Sequence, residues 1–231
     1  MLNKKICVFD FETDGSDPEI CSPIQISALM IDPVKLSIIE GSEFNVFCKP
    51  EVMEQNPDHE YQTDILDFHA RVRGCSQEEI FDQWKNYPSQ DIAWNLFTNY
   101  LEKYHCGNRK KKSMFTAPIA AGYNIHRFDL KIVERLCKKH KNLDQKEGKP
   151  SIFYPRDVLD IMNLIFYWFE NKNFKSYSLD NMREYFGISK DGAHDALKDV
   201  EDCANILIRF MRLHRNLANK IKFEDSFNDN G

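Results

Sequence analysis

Two carboxylates near the end of a buried strand constrain this chain more than any other feature. Residues 6–11 are apolar, β-branched and aromatic, which predicts a buried strand. Asp10 and Glu12 lie two residues apart at its end, so their side chains point to the same face. Like charges at such a position repel each other and resist desolvation. A divalent metal ion is the simplest compensation, and solvated acids are the alternative that this short motif leaves open.

The bulk composition excludes several classes of protein. With 231 residues, 42% of them hydrophobic, the chain can form a sizeable core in one domain with insertions or in two small ones. It has neither an apolar run of bilayer length nor the apolar segment of a signal peptide. The seven cysteines are odd in number and scattered, which argues against a disulfide framework. They also lack the spacing of zinc ligands, which argues against a structural zinc site. We therefore expect a cytoplasmic protein without membrane contact.

The net charge of −5 argues mildly against binding to nucleic acid, because phosphate contacts favour a basic surface. A cluster of carboxylates that binds divalent metal ions, however, becomes a locally positive site. Basic residues also cluster at 109–112 and between 138 and 149, although such runs are commonly solvated loops. The overall charge thus decides little.

The pattern along the chain predicts an α/β fold. Strands are expected at 24–31, 43–48, 118–123 and 152–154, and helices at 64–72, 77–84, 91–104, 128–139, 157–169, 178–186 and 195–217. A polar segment at 51–61 is expected to be a loop. Strands first, then alternating strands and helices, indicate a mixed β-sheet flanked by helices in a single domain, residues 1–217, followed by a polar C-terminal tail, 218–231.

A second acid lies at a junction between a strand and a helix. The strand at 118–123 is followed by a turn, and Asp129 falls in the first turn of the next helix. Open α/β sheets place ligands at such junctions. Alone, Asp129 is better explained as an acid that complements the helix dipole.

A third group lies at the start of the last helix. His194 precedes the helix, where a histidine is an accessible base, and Asp199 follows in its first turns. Asp199 borders the core-facing stripe, so its carboxylate needs a partner. Asp195 and Asp202 lie near the same face and are expected to be solvated.

Together these motifs carry a specific resemblance. The order Asp-x-Glu, then Tyr-Asn-x-x-x-Phe-Asp, then His-x-x-x-x-Asp resembles the DnaQ-like (DEDDh) 3′–5′ exonuclease superfamily. The resemblance extends from about residue 6 to 211, and the residues of the second and third motifs are similar to those in the exonuclease domain of bacterial exonuclease I. The segment at 72–76, Val-Arg-Gly-Cys-Ser, is similar to the family's Val-His-Gly-Ile-Thr, with Arg73 in the place of the histidine. This departure concerns recognition of the nucleic-acid end, where arginine can still bind phosphate.

The resemblance implies a ribonuclease H-like fold and a two-metal site. Four acids would hold two Mg²⁺ or Mn²⁺ ions, and His194 would accept the proton of the attacking water. The four acids are Asp10, Glu12, Asp129 and Asp199. The substrate-binding residues implied are Phe11, Thr13, Val72, Arg73 and Asn124.

The resemblance thus predicts a metal-dependent 3′–5′ exonuclease that releases nucleoside monophosphates from single-stranded or frayed DNA ends. A DNA polymerase or a repair complex is an expected partner. Three alternatives stay open: an exoribonuclease of the same superfamily, a catalytically silent scaffold subunit, and a two-metal hydrolase that does not act on nucleic acid. Retention of all four acids and His194 argues against the scaffold.

Overall fold

The computed structural model describes residues 4–61, 63–107, 113–144 and 148–221. The strands are β1 (Ile6–Thr13), β2 (Pro23–Asp32), β3 (Ser37–Ile38), β4 (Phe44–Phe47), β5 (Ile119–Gly122) and β6 (Val158–Asp160). The helices are α1 (Glu51–Gln55), α2 (Thr63–Arg73), α3 (Gln77–Asn86), α4 (Gln90–Glu102), α5 (Asp129–Lys139), α6 (Ile161–Trp168), α7 (Leu179–Phe186) and α8 (Ala196–Ile221). Among the described helices, none has the length and apolar character required to span a bilayer. The basic run 109–112 and the tail beyond 221 lie outside the described residues.

A mixed sheet forms the centre of the fold, as predicted. Its order is β3-β2-β1-β5-β6, with β4 paired to the other end of β2. β1 runs antiparallel to β2 and parallel to β5, and β5 runs parallel to β6. Helices cover both faces, so the fold class is confirmed.

Side chains alternate along β1, which divides the core into two halves and sets the direction of the two acids. Phe9 and Phe11 pack with α4 and α5 on one face, whereas Val8 packs with α8 on the other. Asp10 and Glu12 continue the series of Val8, because side chains alternate along a strand. Both acids therefore leave the sheet on the side of α8.

A third apolar cluster joins α1, α2 and α3 beside the sheet, with Met53 and Trp84 fully buried. The expected loop at 51–61 is wrong in its first part, since α1 begins directly after Pro50. The ring of Pro50 fixes φ at −55°, and Met53 is only 1% exposed. Burial of one large side chain thus stabilises a helix too short for its periodicity to be visible in the sequence.

The region after residue 150 corrects two further predictions. Residues 152–154 do not form a strand, and the last strand is β6, in a segment predicted as the start of a helix. β6 pairs in parallel with β5 through Ala121 and Leu159, an edge that the local sequence does not reveal. Asp160 then ends the strand and begins α6, where its side chain accepts the Met162 N–H.

Two helices show how well periodicity locates a buried face. In α4 the helically spaced Ile92 and Leu96 are 53% and 47% exposed, because the larger rings of Trp94 and Phe97 occupy the core instead. In α8 the helically spaced apolar residues do face the core: Ala196, Val200, Cys203, Leu207 and Phe210 are all buried. This helix also continues beyond the predicted end at 217, to Ile221.

Candidate active site

Three of the four predicted acids converge at one end of the sheet. Asp10 and Glu12 extend from β1, and Asp199 extends from the first turn of α8. One carboxylate oxygen from each lies within 4.8 Å of the others. An all-oxygen carboxylate set of this size fits a hard divalent cation such as Mg²⁺ or Mn²⁺. These residues can therefore hold a metal ion.

The fourth acid, Asp129, reaches the same strand from the opposite side. It begins α5, is 3% exposed, and accepts the Phe11 N–H at 3.1 Å through Oδ1. That N–H is available because β5 pairs only with residues 6–8 of β1. The chain that leads from β5 to Asp129 passes close to β1 at Gly122, where a Cβ would lie 2.7 Å from the Phe9 carbonyl oxygen. Asp129 thus belongs to the acidic centre without joining the group of three.

The electrostatics of the centre favour a cation. Burial raises the pKa of Asp10 well above its ordinary value, and the neighbouring charges of Asp129, Glu12 and Asp199 raise it further. Burial, with Asp199 next, raises the pKa of Glu12 to about 8. Burial also raises the pKa of Asp129 to about 7. Without a metal ion the centre therefore retains protons near neutral pH, and a cation would displace them.

A buried arginine supplies part of the compensating charge, and sequence reasoning missed it. Arg183 of α7 is 1% exposed, and its Nε and Nη1 donate to Asp202 and Asp180 at 2.8 Å each. Its Nη2 donates to Asp199. Burial opposes the charge of Arg183, but these bonds outweigh it and raise its pKa.

The expectation that Asp195 and Asp202 are solvated is therefore wrong for Asp202. That carboxylate is 3% exposed and also accepts a bond from Lys198. Buried charges need such partners, because desolvation of an unpaired carboxylate is costly. Asp195 is half-buried and caps α8 by accepting the Leu197 N–H at 3.0 Å.

His194 lies in the loop that leads into α8. Its backbone has a φ of +67°, and its N–H donates to Asp199 Oδ1 at 3.2 Å. Its side chain is 45% exposed, and Nε2 lies 3.5 Å from Asp180 Oδ2. The imidazole is thus accessible from solvent, and the backbone of His194 is tied to Asp199, one of the three clustered acids.

A cleft of about 300 Å³ opens beside Glu12, between the end of β1 and α2. It is lined by Glu12, Thr13, Gly15, Ser16, Asp64, Ile65, Phe68 and His69. The wall is fixed by two bonds of Thr13: Oγ1 donates to the Gly15 carbonyl at 2.6 Å, and the Thr13 carbonyl lies 3.0 Å from His69 Nε2. Burial lowers the pKa of His69 to about 4, so the ring is neutral and donates.

The five predicted substrate-binding residues do not all lie in the cleft. Thr13 lines the cleft. Phe11 is 4% exposed and packs in the core, and Val72 is half-buried in α2 outside the cleft lining. Arg73 donates to Gln83 of α3 at 3.2 Å and lies over the Phe47 ring, so α3 and β4 hold it. Asn124 adopts a φ of +56° in the turn after β5, where its N–H donates to Asp160.

Comparison with known proteins agrees with this arrangement. The sequence model of the exonuclease family matches residues 109–207, the part that contains Asp129, His194 and Asp199. This part of the chain is therefore similar to the exonuclease family. Enzymes of this family depend on divalent metals, in keeping with the acidic cluster.

Two curated relatives resemble nearly the whole chain. Exodeoxyribonuclease I of Escherichia coli is 25% identical over 204 residues, covering 83% of this chain and 36% of its own length. A PolC-type DNA polymerase III from Thermotoga petrophila is 24% identical over 216 residues, covering 94% of this chain and 12% of its own. The chain therefore spans only a minor part of either relative.

Solved structures share the fold. E. coli exonuclease I in complex with a 5cy-dT13 oligonucleotide has a TM-score of 0.62 at 17% identity, with 98% of this chain and 46% of the other covered. A 3′-exonuclease that recognises the 3′ end of histone mRNA stem-loop has a TM-score of 0.60 at 16% identity, with 92% and 83% covered. The same fold thus occurs with both DNA and RNA.

Proposed function

We propose that this protein is a metal-dependent 3′–5′ exonuclease that releases nucleoside monophosphates from the 3′ end of single-stranded or frayed DNA. The observation that carries the proposal is the convergence of Asp10, Glu12 and Asp199 within 4.8 Å, beside a cleft lined by Glu12 and Thr13. A terminal nucleotide in that cleft would place its phosphate beside the acids.

The residues have distinct roles in this proposal. The three clustered acids, with Asp129, would hold two Mg²⁺ or Mn²⁺ ions. When bound, these ions activate the attacking water and neutralise charge on the phosphate and the leaving 3′ oxygen. His194 accepts the proton of that water from its exposed position at the mouth of α8. The Thr13 backbone, held by His69, orients the terminal nucleotide.

DNA is the favoured substrate because exodeoxyribonuclease I resembles the chain both in sequence and in fold. The likeness to the histone mRNA 3′-exonuclease makes RNA the second candidate. A bound protein can distinguish the two polymers through the 2′-hydroxyl group. A DNA polymerase is the partner to test, given the PolC-type relative.

The deciding experiment is digestion of single-stranded DNA and RNA of one sequence, each labelled at either the 3′ or the 5′ end. Reactions contain Mg²⁺ or EDTA, and Asp10→Asn serves as the inactive variant. Asp17→Asn, which alters an exposed acid in the loop after β1, is the matched control. We expect early release of label as mononucleotide from 3′-labelled DNA, a shrinking ladder from 5′-labelled DNA, and neither with EDTA or Asp10→Asn.

Other outcomes separate the alternatives. Faster digestion of RNA would make the protein an exoribonuclease. Internal fragments from both labels would overturn the exonuclease assignment. No digestion of either polymer, by protein that still binds oligonucleotide, would support the scaffold role.

A further inference from the structure

Arg183 contacts the proposed catalytic centre at two points. We propose that it is a positioning residue, which holds Asp199 as a metal ligand through one oxygen and keeps Asp180 beside His194. This inference rests on the exonuclease function proposed above and deepens it.

The first argument is the geometry of the guanidinium group. Arg183 is 1% exposed, and three of its nitrogens each donate to a different carboxylate: Asp202, Asp180 and Asp199. A planar guanidinium directs its N–H groups at fixed angles, so it sets the relative positions of all three acids. A lysine, whose ammonium is a single point charge, cannot span them in the same way.

The second argument concerns the oxygens of Asp199. Its Oδ1 accepts bonds from Arg183 and from the His194 N–H at 3.2 Å. Oδ2 is then the oxygen free to face the cation, and the carboxylate is restrained to single-oxygen ligation. A guanidinium that shares a carboxylate with a divalent cation also repels that cation, which lowers metal affinity. Arg183 therefore fixes the geometry of the site while weakening its hold on metal.

The third argument concerns the base. Asp180 binds Arg183 through Oδ1 at 2.8 Å, while its Oδ2 lies 3.5 Å from His194 Nε2. Asp180 is 38% exposed, so without Arg183 its side chain is free to turn into solvent. Loss of Arg183 should consequently slow the proton transfer more than it weakens substrate binding.

A purely structural role must be distinguished from this one. Asp202 is 3% exposed, and removal of Arg183 alone would leave it with Lys198 as its single cationic partner. The test variant therefore combines Arg183→Met with Asp202→Asn, so that Asp202 is not left as a buried carboxylate without its guanidinium partner. Asp202→Asn alone is the control, because it breaks the structural pair and keeps the contacts to Asp199 and Asp180.

Two measurements are made on the full chain: Mn²⁺ binding, from the electron paramagnetic resonance signal of free Mn²⁺, and steady-state digestion of a 3′-labelled oligonucleotide. The control should stay within about twofold of wild type in both. Compared with that control, the double variant should bind Mn²⁺ at least about threefold more tightly, since the two proteins differ by the removal of one like charge. Its kcat should fall about tenfold or more with KM within about twofold, the pattern of a lost positioning contact.

Mn²⁺ binding by the folded double variant that is unchanged or weaker relative to Asp202→Asn would overturn the inference. If that variant does not fold, Arg183→Lys decides: we expect near wild-type Mn²⁺ affinity with a reduced kcat, and a wild-type kcat would refute the role. If the wild-type protein digests no nucleic acid, the proposed function fails, yet the Mn²⁺ comparison still tests the restraint on Asp199.

Discussion

The Phe68 ring meets the His194 imidazole edge-on, with ring centroids 5.6 Å apart and planes at 71°. Phe68 belongs to α2, which packs in the apolar cluster beside the sheet, whereas His194 precedes α8 on the sheet itself. The contact joins the wall of the cleft to the proposed general base. Edge-to-face pairs of this kind are directional, so Phe68 restricts the orientations open to His194.

Phe68→Ala should lower kcat by about threefold to tenfold, because the imidazole loses one of the groups that orient it. Mn²⁺ affinity should not change, since Phe68 carries no ligand atom. Phe115→Ala is the control, as it removes a phenylalanine ring that is 52% exposed and lies outside the cleft lining. Equal kcat values for the two variants would show that the Phe68 contact does not orient the base.

Asp10→Asn should abolish digestion and yet stabilise the metal-free protein. Burial and three neighbouring acids raise the pKa of Asp10, so ionisation of this carboxyl disfavours the folded state at pH 8. We expect a gain of about 1 kcal/mol in EDTA, or about 2–4 °C in melting temperature for a chain of this size. Mg²⁺ should raise the melting temperature of wild type but not of the variant. Lower stability in EDTA would contradict this account.

Metal affinity should increase with pH. Glu12 has a pKa raised to about 8 in the metal-free fold, so below that pH a cation must displace a proton. Mn²⁺ affinity should therefore tighten between pH 6 and pH 8, by up to about tenfold per pH unit for each proton displaced. Calorimetry in two buffers of different ionisation enthalpy counts the protons directly. Glu12→Gln should flatten the dependence, and an equally steep dependence in that variant would assign the proton elsewhere.

The raised carboxyl pKa values also make the stability of the metal-free protein decrease with pH, whereas metal affinity increases. The metal-free fold holds protons on Glu12 and Asp129 that the unfolded chain, with ordinary carboxyl pKa values near about 4, has already released. Stability of the metal-free protein should thus fall as the pH rises from about 5 through about 8. Denaturant titrations at several pH values in EDTA measure this, and saturating Mg²⁺ should remove the fall.

Local patterns predicted much of the fold. Ser76 and Glu79 form the capping box that opens α3, and Ser178 and Gly187 bound α7 as their residue types indicate. The alternation of side chains along a strand is enough to predict that Asp10 and Glu12 share one face of β1. These features depend on residues close in sequence, and for that reason a pattern can reveal them.

Features that depend on distant partners were not visible. β6 is a strand because β5 offers it an edge 38 residues away, at Ala121 and Leu159. Arg183 lies four residues after Leu179, on the inward face of α7, a position that could have indicated a buried charge. Its partners Asp199 and Asp202 nevertheless come from another helix, so the sequence alone could not show that Asp202 is buried.

The bond between His69 and the Thr13 carbonyl gives the last prediction. Burial lowers the pKa of His69 to about 4, whereas an unfolded histidine titrates near about 6.5. The unfolded state therefore binds a proton first, and His69 contributes stability that is lost as the pH falls from about 6.5 to about 4. His69→Phe keeps a ring of similar shape but cannot donate to Thr13, so it should reduce this dependence on pH.

The same variant should raise KM for the oligonucleotide by about threefold to tenfold, because the backbone that lines the cleft loses its support. Its Mn²⁺ affinity should match wild type, since the acids proposed to bind metal keep their contacts. His126→Phe, at an exposed position in the turn before α5, is the control and should leave KM unchanged. If His69→Phe retains the wild-type KM, the end of β1 is rigid without His69, and Thr13 owes its position to the hydrogen bond with Gly15 alone.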